Sequence, residues 1–337
     1  MVEKIFQEAL YSGHKKVFDY FNKSIEKKKL SHAYLFLGPE GVGKKEAAVN
    51  FLRRIICQKK KNSAPCLKCQ SCQIFRRKTS ADFLEIKKKS DKKNISIEQI
   101  RALIDHLSLK PLNWPYKFAL IDQAELMSES ASNSFLKTLE EPSDKTIIIL
   151  IASNKNRLPE TITSRCQTIR FNFISHSLIF DYLKKSQLIN NQKASSISQI
   201  VQGRISQARK MARDNEYFES YQETINRFLN LFSFSLADRF KEISSLYGNL
   251  TPSKNSFINY HSLINIWLTV LRDLLLYQSD QENKITFVFK KNIYKKIIKG
   301  KKDLYFKKLI DHLIVTKMLI DRNLNPKIVL ENFILKI

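Results

Sequence analysis

The sequence predicts an α/β domain on a mostly parallel sheet, then a small helical unit, then an all-helical domain. Three observations lead there. Strand-like apolar runs alternate with helical patterns across residues 33–173. Beyond residue 174 only helical periodicity persists. Three of the seven glycines, Gly38, Gly41 and Gly43, fall within six residues of one another, which marks a loop with unusual backbone demands.

The elements follow in order. Ala33–Leu37 is a short apolar strand that feeds the glycine loop, and Lys44–Ile56 reads as a helix through Ala47, Ala48, Phe51, Leu52 and Ile55. Ser96 and Gln99 form a capping-box signal ahead of Ile97, Ile100, Ile104 and Leu107 at helical spacing. Pro111 and Pro115 interrupt the chain before the strand Phe118–Ile121, which ends in Asp122. Ser130–Leu139 is a helix stopped before Pro142, Thr146–Ala152 is the most apolar strand, and Thr168–Phe171 is the last. Helical patterns such as Ile264, Trp267, Leu268, Leu271, Leu274 and Leu275 then run to the end. The expected divisions are 1–173, 174–212 and 213–337.

Composition excludes several classes. With 43% hydrophobic and 27% charged residues, the 337-residue chain is neither disordered nor fibrous. Its longest apolar run, Ile147–Ala152, falls far short of the about 20 residues a membrane helix requires. The first residues, MVEKIFQEAL, lack the apolar core of a secretory signal, so the expected compartment is the cytoplasm. A net charge of +26 favours polyanionic partners. Residues 53–93 hold fourteen Lys and Arg against three acids, and residues 290–308 hold nine lysines against Asp303. Each run reads either as a solvated face or as phosphate contact.

Four motifs carry chemistry. Gly38-Pro39-Glu40-Gly41-Val42-Gly43-Lys44 fits G-x-x-x-x-G-K, in which backbone N–H groups at a helix N-terminus cradle phosphates and the lysine meets the outer ones. Lys45 stands where a Ser or Thr hydroxyl would ligate Mg²⁺, so magnesium is poorly served and binding of ATP or ADP stays open. Asp122 ends its strand as the metal-side carboxylate, but Gln123 occupies the position of a water-activating Glu and cannot accept a proton. Together these substitutions argue against efficient ATP hydrolysis. Cys57, Cys66, Cys69 and Cys72 follow a C-x8-C-x2-C-x2-C pattern suited to a closed, structural Zn²⁺ site. Thr163-Ser164-Arg165-Cys166 offers a guanidinium able to fork onto phosphate, although from spacing alone Arg165 reads first as a surface arginine.

Taken together, His32-Ala33-Tyr34-Leu35-Phe36, the cysteine insert, Asn133 through Pro142 and Ser164-Arg165-Cys166 resemble the bacterial clamp-loader AAA+ family of DNA polymerase III over roughly residues 14–210. The decayed positions resemble its delta-prime branch, with gamma and tau as the motors. Gly203 and Ala208 match a helix that in the motors carries a nucleotide-sensing arginine three residues after the glycine; Ser206 stands there, and Arg204 is two residues off. The resemblance implies an AAA+ module with a helical lid, a helical collar, no intrinsic ATPase and membership of a DNA-directed DNA polymerase holoenzyme. It implies gamma/tau and delta subunits, the sliding clamp and primed DNA as partners, no membrane, and a nucleoid-associated location. It also implies that Arg165 is an arginine finger in trans for a neighbouring motor. Two other readings stay open: a gamma-type motor that hydrolyses ATP itself, and a DNA-binding module formed by the insert and the basic runs.

Overall fold

A computed structural model describes residues 2–59, 65–77, 79–89, 92–250, 259–302, 304–322 and 324–337. Lys60, Lys61, Lys78 and Asp91 of the first basic run, and Asp303 of the second, lie outside the described residues. The chain forms two compact units, Met1–Gln187 with Gly203–Ala208, and Leu188–Gln202 with Arg209–Ile337.

The first unit opens with α1 (Val2–Gly13) and α2 (Lys15–Glu26), two amphipathic helices that the sequence reading left unassigned. It continues as β1 (Ala33–Leu37), α3 (Lys44–Ile56), α4 (Gln70–Arg77), β2 (Phe83–Ile86) and α5 (Ile97–Ser108). After these come β3 (Lys117–Ile121), α6 (Glu129–Glu140), β4 (Thr146–Ala152), α7 (Glu160–Thr163), β5 (Gln167–Arg170) and α8 (His176–Ser186). Among the described residues the strands form one parallel sheet in the order β2-β3-β4-β1-β5.

Both faces of this sheet are covered, so β3 and β4 are apolar almost throughout and buried along their whole length. Alternation along β1 divides its side chains. Ala33 and Leu35 join Ile100, Leu103, Phe135 and Leu139 on the face covered by α5 and α6. On the other face Phe36 stacks on Phe21 at 5.4 Å, Phe21 stacks on Phe51 at 4.2 Å, and Tyr34 meets Phe51 edge-on at 5.4 Å. The predicted capping box on α5 is present, with Ser96 and Gln99 exchanging bonds with backbone N–H groups.

The second unit contains α9 (Asn191–Ile200) and most of α10 (Ile205–Arg213). Next come α11 (Asn215–Asn230), α12 (Leu236–Leu250), α13 (Tyr260–Gln278), α14 (Lys291–Ile298), α15 (Tyr305–Asp321) and α16 (Pro326–Ile334). Trp267 centres its core, stacked on Phe228 at 4.6 Å and Phe333 at 5.9 Å. In the second basic run Lys291 pairs with Glu282 at 2.8 Å, while Lys290 lies 5.4 Å from the Phe289 ring centre and Lys301 4.4 Å from that of Tyr305. Lys295, Lys296, Lys299, Lys302, Lys307 and Lys308 are exposed.

Candidate functional site

Loops leaving the carboxyl ends of β1, β3 and β4 converge on a cleft of about 300 Å³ in the first unit, the end at which parallel α/β sheets place their ligands. Gly41, Gly43, Lys44, Lys45 and Asp122 line it. Gly38 begins the same loop, and a Cβ there would lie 2.2 Å from the carbonyl oxygen of Phe171. Gly43 has φ 97° and is the N-cap of α3, so the turn that aims the N–H groups of α3 into the cleft favours glycine.

Lys44 is buried, and its ammonium donates to the carbonyls of Gly38 and, at 2.8 Å, Pro39. Burial pulls its pKa down, while the carboxylates of Glu125, Glu40 and Asp122 act against that. Lys45 reaches across the cleft floor: Nζ lies 2.9 Å from Oδ2 of Asp122 and 2.5 Å from Oε1 of Glu85. Burial lowers the Lys45 pKa, but hydrogen bonds to Glu85 and Asp122 outweigh it, and the ammonium titrates above the ordinary lysine value.

Sequence reasoning missed three residues here. Glu125 and Ser153 line the cleft, and Oε1 of Glu125 accepts from the Ser153 N–H at 2.8 Å and from its hydroxyl. Glu85 sits on β2, a four-residue strand hidden inside the first basic run; the apolar Phe83-Leu84-Ile86 was its only signal. Glu40, Glu46, Asp122 and Glu125 line the cleft together with Lys44 and Lys45. Ser206, in the motor-arginine position, also lines the cleft, and its N–H donates to the carbonyl of Gly41 at 2.9 Å.

The cysteines meet at the far end of α3. Cys57 caps the helix, Cys69 precedes α4, and Cys72 lies in the first turn of α4. All four Sγ atoms lie within 4.8 Å of one another. Tetrahedral Zn–S bonds of about 2.3 Å require sulfurs about 3.8 Å apart, so the donor set fits a four-thiolate site with small adjustment. Leu67 adopts φ 60°, and the turn lets the Cys69 N–H reach Sγ of Cys66 at 3.3 Å; the Cys66 N–H reaches Sγ of Cys57 at 3.3 Å. The N–H of Lys68 and its neighbours bring the Cys66 thiol down to about 6, whereas burial and the nearby Cys69 push Cys72 up. A bound cation would oppose the second effect.

Arg165 is not among the residues that line the cleft. It follows α7, where Nη2 pairs with Oε1 of Glu140 at 2.5 Å and Nη1 donates to the carbonyl of Thr161 at 2.9 Å and to Oγ of Ser164 at 3.3 Å. The side chain is 36% exposed, so the guanidinium is held in place yet open to an incoming group. Cys166, next in the chain, is buried in the core with Leu158 and Ile162, and burial pushes its thiol up to about 12, which makes it a packing residue and not a nucleophile.

A protein-family model described as DNA polymerase III, delta subunit, matches residues 13–175. The delta' subunit of DNA polymerase III from Bacillus subtilis is 29% identical over 264 residues, covering 78% of each chain. The gamma subunit from Buchnera aphidicola subsp. Schizaphis graminum is 25% identical over 312 residues, covering 82% of this chain and 85% of that one. The tau subunit from Bacillus subtilis is 34% identical over 173 residues; the match takes in 51% of this chain but spans only 30% of that relative.

Proposed function

This chain is a member of the clamp-loader AAA+ family, and from that premise we propose that it is a delta-prime-like subunit, silent as an ATPase. In this reading it joins gamma/tau and delta subunits in a ring that places a sliding clamp on primed DNA. Arg165 serves as an arginine finger in trans for the adjacent motor. One observation carries the proposal: Lys45 holds Asp122 in an ion pair inside an otherwise well-formed P-loop cleft. A carboxylate so engaged is not free to take Mg²⁺, and Gln123 beside it offers no base. Arg165 lies elsewhere, exposed and positioned by Glu140.

The rest of the assignment follows the same reading. Residues 1–173 form the AAA+ α/β domain, 174–212 the lid and 213–337 the collar. Cys57, Cys66, Cys69 and Cys72 hold one structural Zn²⁺, which neutralises their thiolates and fixes the insert. Gly38, Gly41, Gly43, Lys44, Lys45 and Asp122 form a degenerate nucleotide site. The exposed lysines of the two basic runs supply the attraction to DNA phosphates, and such binding weakens with salt. The chain works in the cytoplasm as a noncatalytic part of a DNA polymerase holoenzyme.

The test is ATP turnover by the reconstituted loader. Arginine fingers in related phosphoryl-transfer systems contribute about 10³ to 10⁵ in rate, so Arg165→Ala should all but silence the neighbouring site while leaving assembly intact. Unchanged turnover would remove the trans role. The second reading, a gamma-type motor, is favoured by the broad match to a gamma subunit and the retained Lys44. It requires the purified chain to hydrolyse ATP and to lose that activity on Lys44→Ala.

A further inference from the structure

We propose that Lys45 is a resident cation that takes the place of a divalent metal, closing the metal position of the cleft from within. The inference deepens the reading of a silent pocket and starts from two adjacent parallel strands. β2 and β3 are paired with Ile86 opposite Ile121. Glu85 precedes the first of these and Asp122 follows the second, so two carboxylates reach one edge of the cleft floor. Between them sits the Lys45 ammonium, 2.5 Å from one and 2.9 Å from the other.

Two carboxylates around one point, beside a cleft, are the oxygen donor set that hard divalent cations choose. Here the chain supplies the positive charge itself. Lys45 lies in the first turn of α3, and its tether holds the ammonium at the carboxylates at an effective concentration on the order of millimolar or above. A free divalent ion would have to displace that ammonium and strip its own water. With only one carboxylate in contact, the pair would be an ordinary surface salt bridge. The second acceptor, and the 14% exposure of the Glu85 side chain, make it a filled site.

Removing the ammonium should therefore create a metal site. The measurement is Mn²⁺ binding to the purified full chain by electron paramagnetic resonance, together with thermal unfolding with and without millimolar Mn²⁺. Mn²⁺ prefers oxygen ligands and leaves a thiolate cluster to softer metals. Wild type should show no Asp122-dependent binding and no Mn²⁺-induced rise in Tm. Lys45→Thr and Lys45→Ala should each bind one Mn²⁺ at least about tenfold more tightly than wild type and gain several degrees in Tm on adding it. Adding Asp122→Asn to either variant should abolish both gains.

Wild-type binding that depends on Asp122, or a folded Lys45 variant with no gain, overturns the assignment. Should a variant fail to fold without metal, recovery of folded chain in millimolar Mn²⁺ supports it and no recovery overturns it. ATP hydrolysis should stay absent in the variants, because Gln123 still offers no base. Hydrolysis by wild type would sink the silent reading, whereas failure to gain Mn²⁺ would sink only the role of Lys45.

Discussion

The two ends of α3 solve the same electrostatic problem in opposite ways. At its N-terminus the carboxylates of Asp122 and Glu85 converge on an ammonium from the helix itself. At its C-terminus four sulfurs converge within 4.8 Å. Arg53 lies 5.4 Å from the ring centre of Phe75, and its charge interacts with Cys72 without being built into the cluster as Lys45 is into its carboxylates. The C-terminal end of a helix carries partial negative charge, which adds to the demand for a cation at the cysteines. The lesson is that convergence of donors alone does not mark a metal site. What counts is whether the chain has already supplied the counter-charge.

The strongest way to break this contrast is to remove one sulfur. Metal analysis of the purified chain should find about one equivalent of zinc, and Cys69→Ser should lose it. In zinc-finger peptides a structural zinc supplies about 10–16 kcal/mol of apparent folding free energy. Here Phe75 also packs against Phe83 at 4.8 Å and Trp114 at 5.6 Å, so the loss should be smaller and local. Hydrogen exchange across residues 57–77 should rise sharply while the sheet stays protected. Finding no metal under reducing conditions would end the comparison.

Asp82 offers a third solution and the next largest effect. Its carboxylate is fully buried and accepts the N–H groups of Leu112, Asn113 and Trp114 at 2.8, 2.6 and 3.0 Å, with Lys117 Nζ at 3.8 Å. Backbone dipoles do most of what metal or lysine does elsewhere. Asp82→Ala would leave three N–H groups unpaired and the buried Lys117 without its anion, so we expect a loss of about 3–5 kcal/mol in chemical denaturation. A cost under about 1 kcal/mol would show that water readily replaces the carboxylate.

Local features were legible in the sequence, whereas pairings across the sheet were not. The glycine loop, its flanking strand and helix, the capping box and the cysteine spacing rest on neighbours within about ten residues, and the structure places them where the sequence predicts. The last strand shifts by one residue, to Gln167–Arg170, because Phe171 turns into the core while its N–H still donates to Leu37 at 2.8 Å. Lys45 was readable as a missing hydroxyl, but its partners lie 40 and 77 residues away and depend on which strand lies beside β3. β2 is too short, and too closely flanked by lysines, to announce itself, so Glu85 went unseen. On α15 the apolar Val315 and Met318 are exposed at 52% and 56%, because periodicity reports a helix before it reports which face is buried.

The smallest expected effect lies at Lys45 itself. Its side chain is 40% exposed, and a pair so open to solvent contributes about 1 kcal/mol or less. Lys45→Ala in metal-free buffer should therefore cost little, with added salt shrinking the difference further. The pH dependence has a definite sign. The folded pKa is raised above the ordinary 10.5, so the unfolded chain releases its proton first as the solution becomes alkaline. The stabilisation is fully present below 10.5 and fades only as pH climbs through the folded value. The gap in stability between wild type and Lys45→Ala should stay flat through neutral pH and close in strong alkali. A gap that closes near neutrality would mean that the ammonium is not the group that balances Asp122 and Glu85, and the two ends of α3 would no longer differ in the way described.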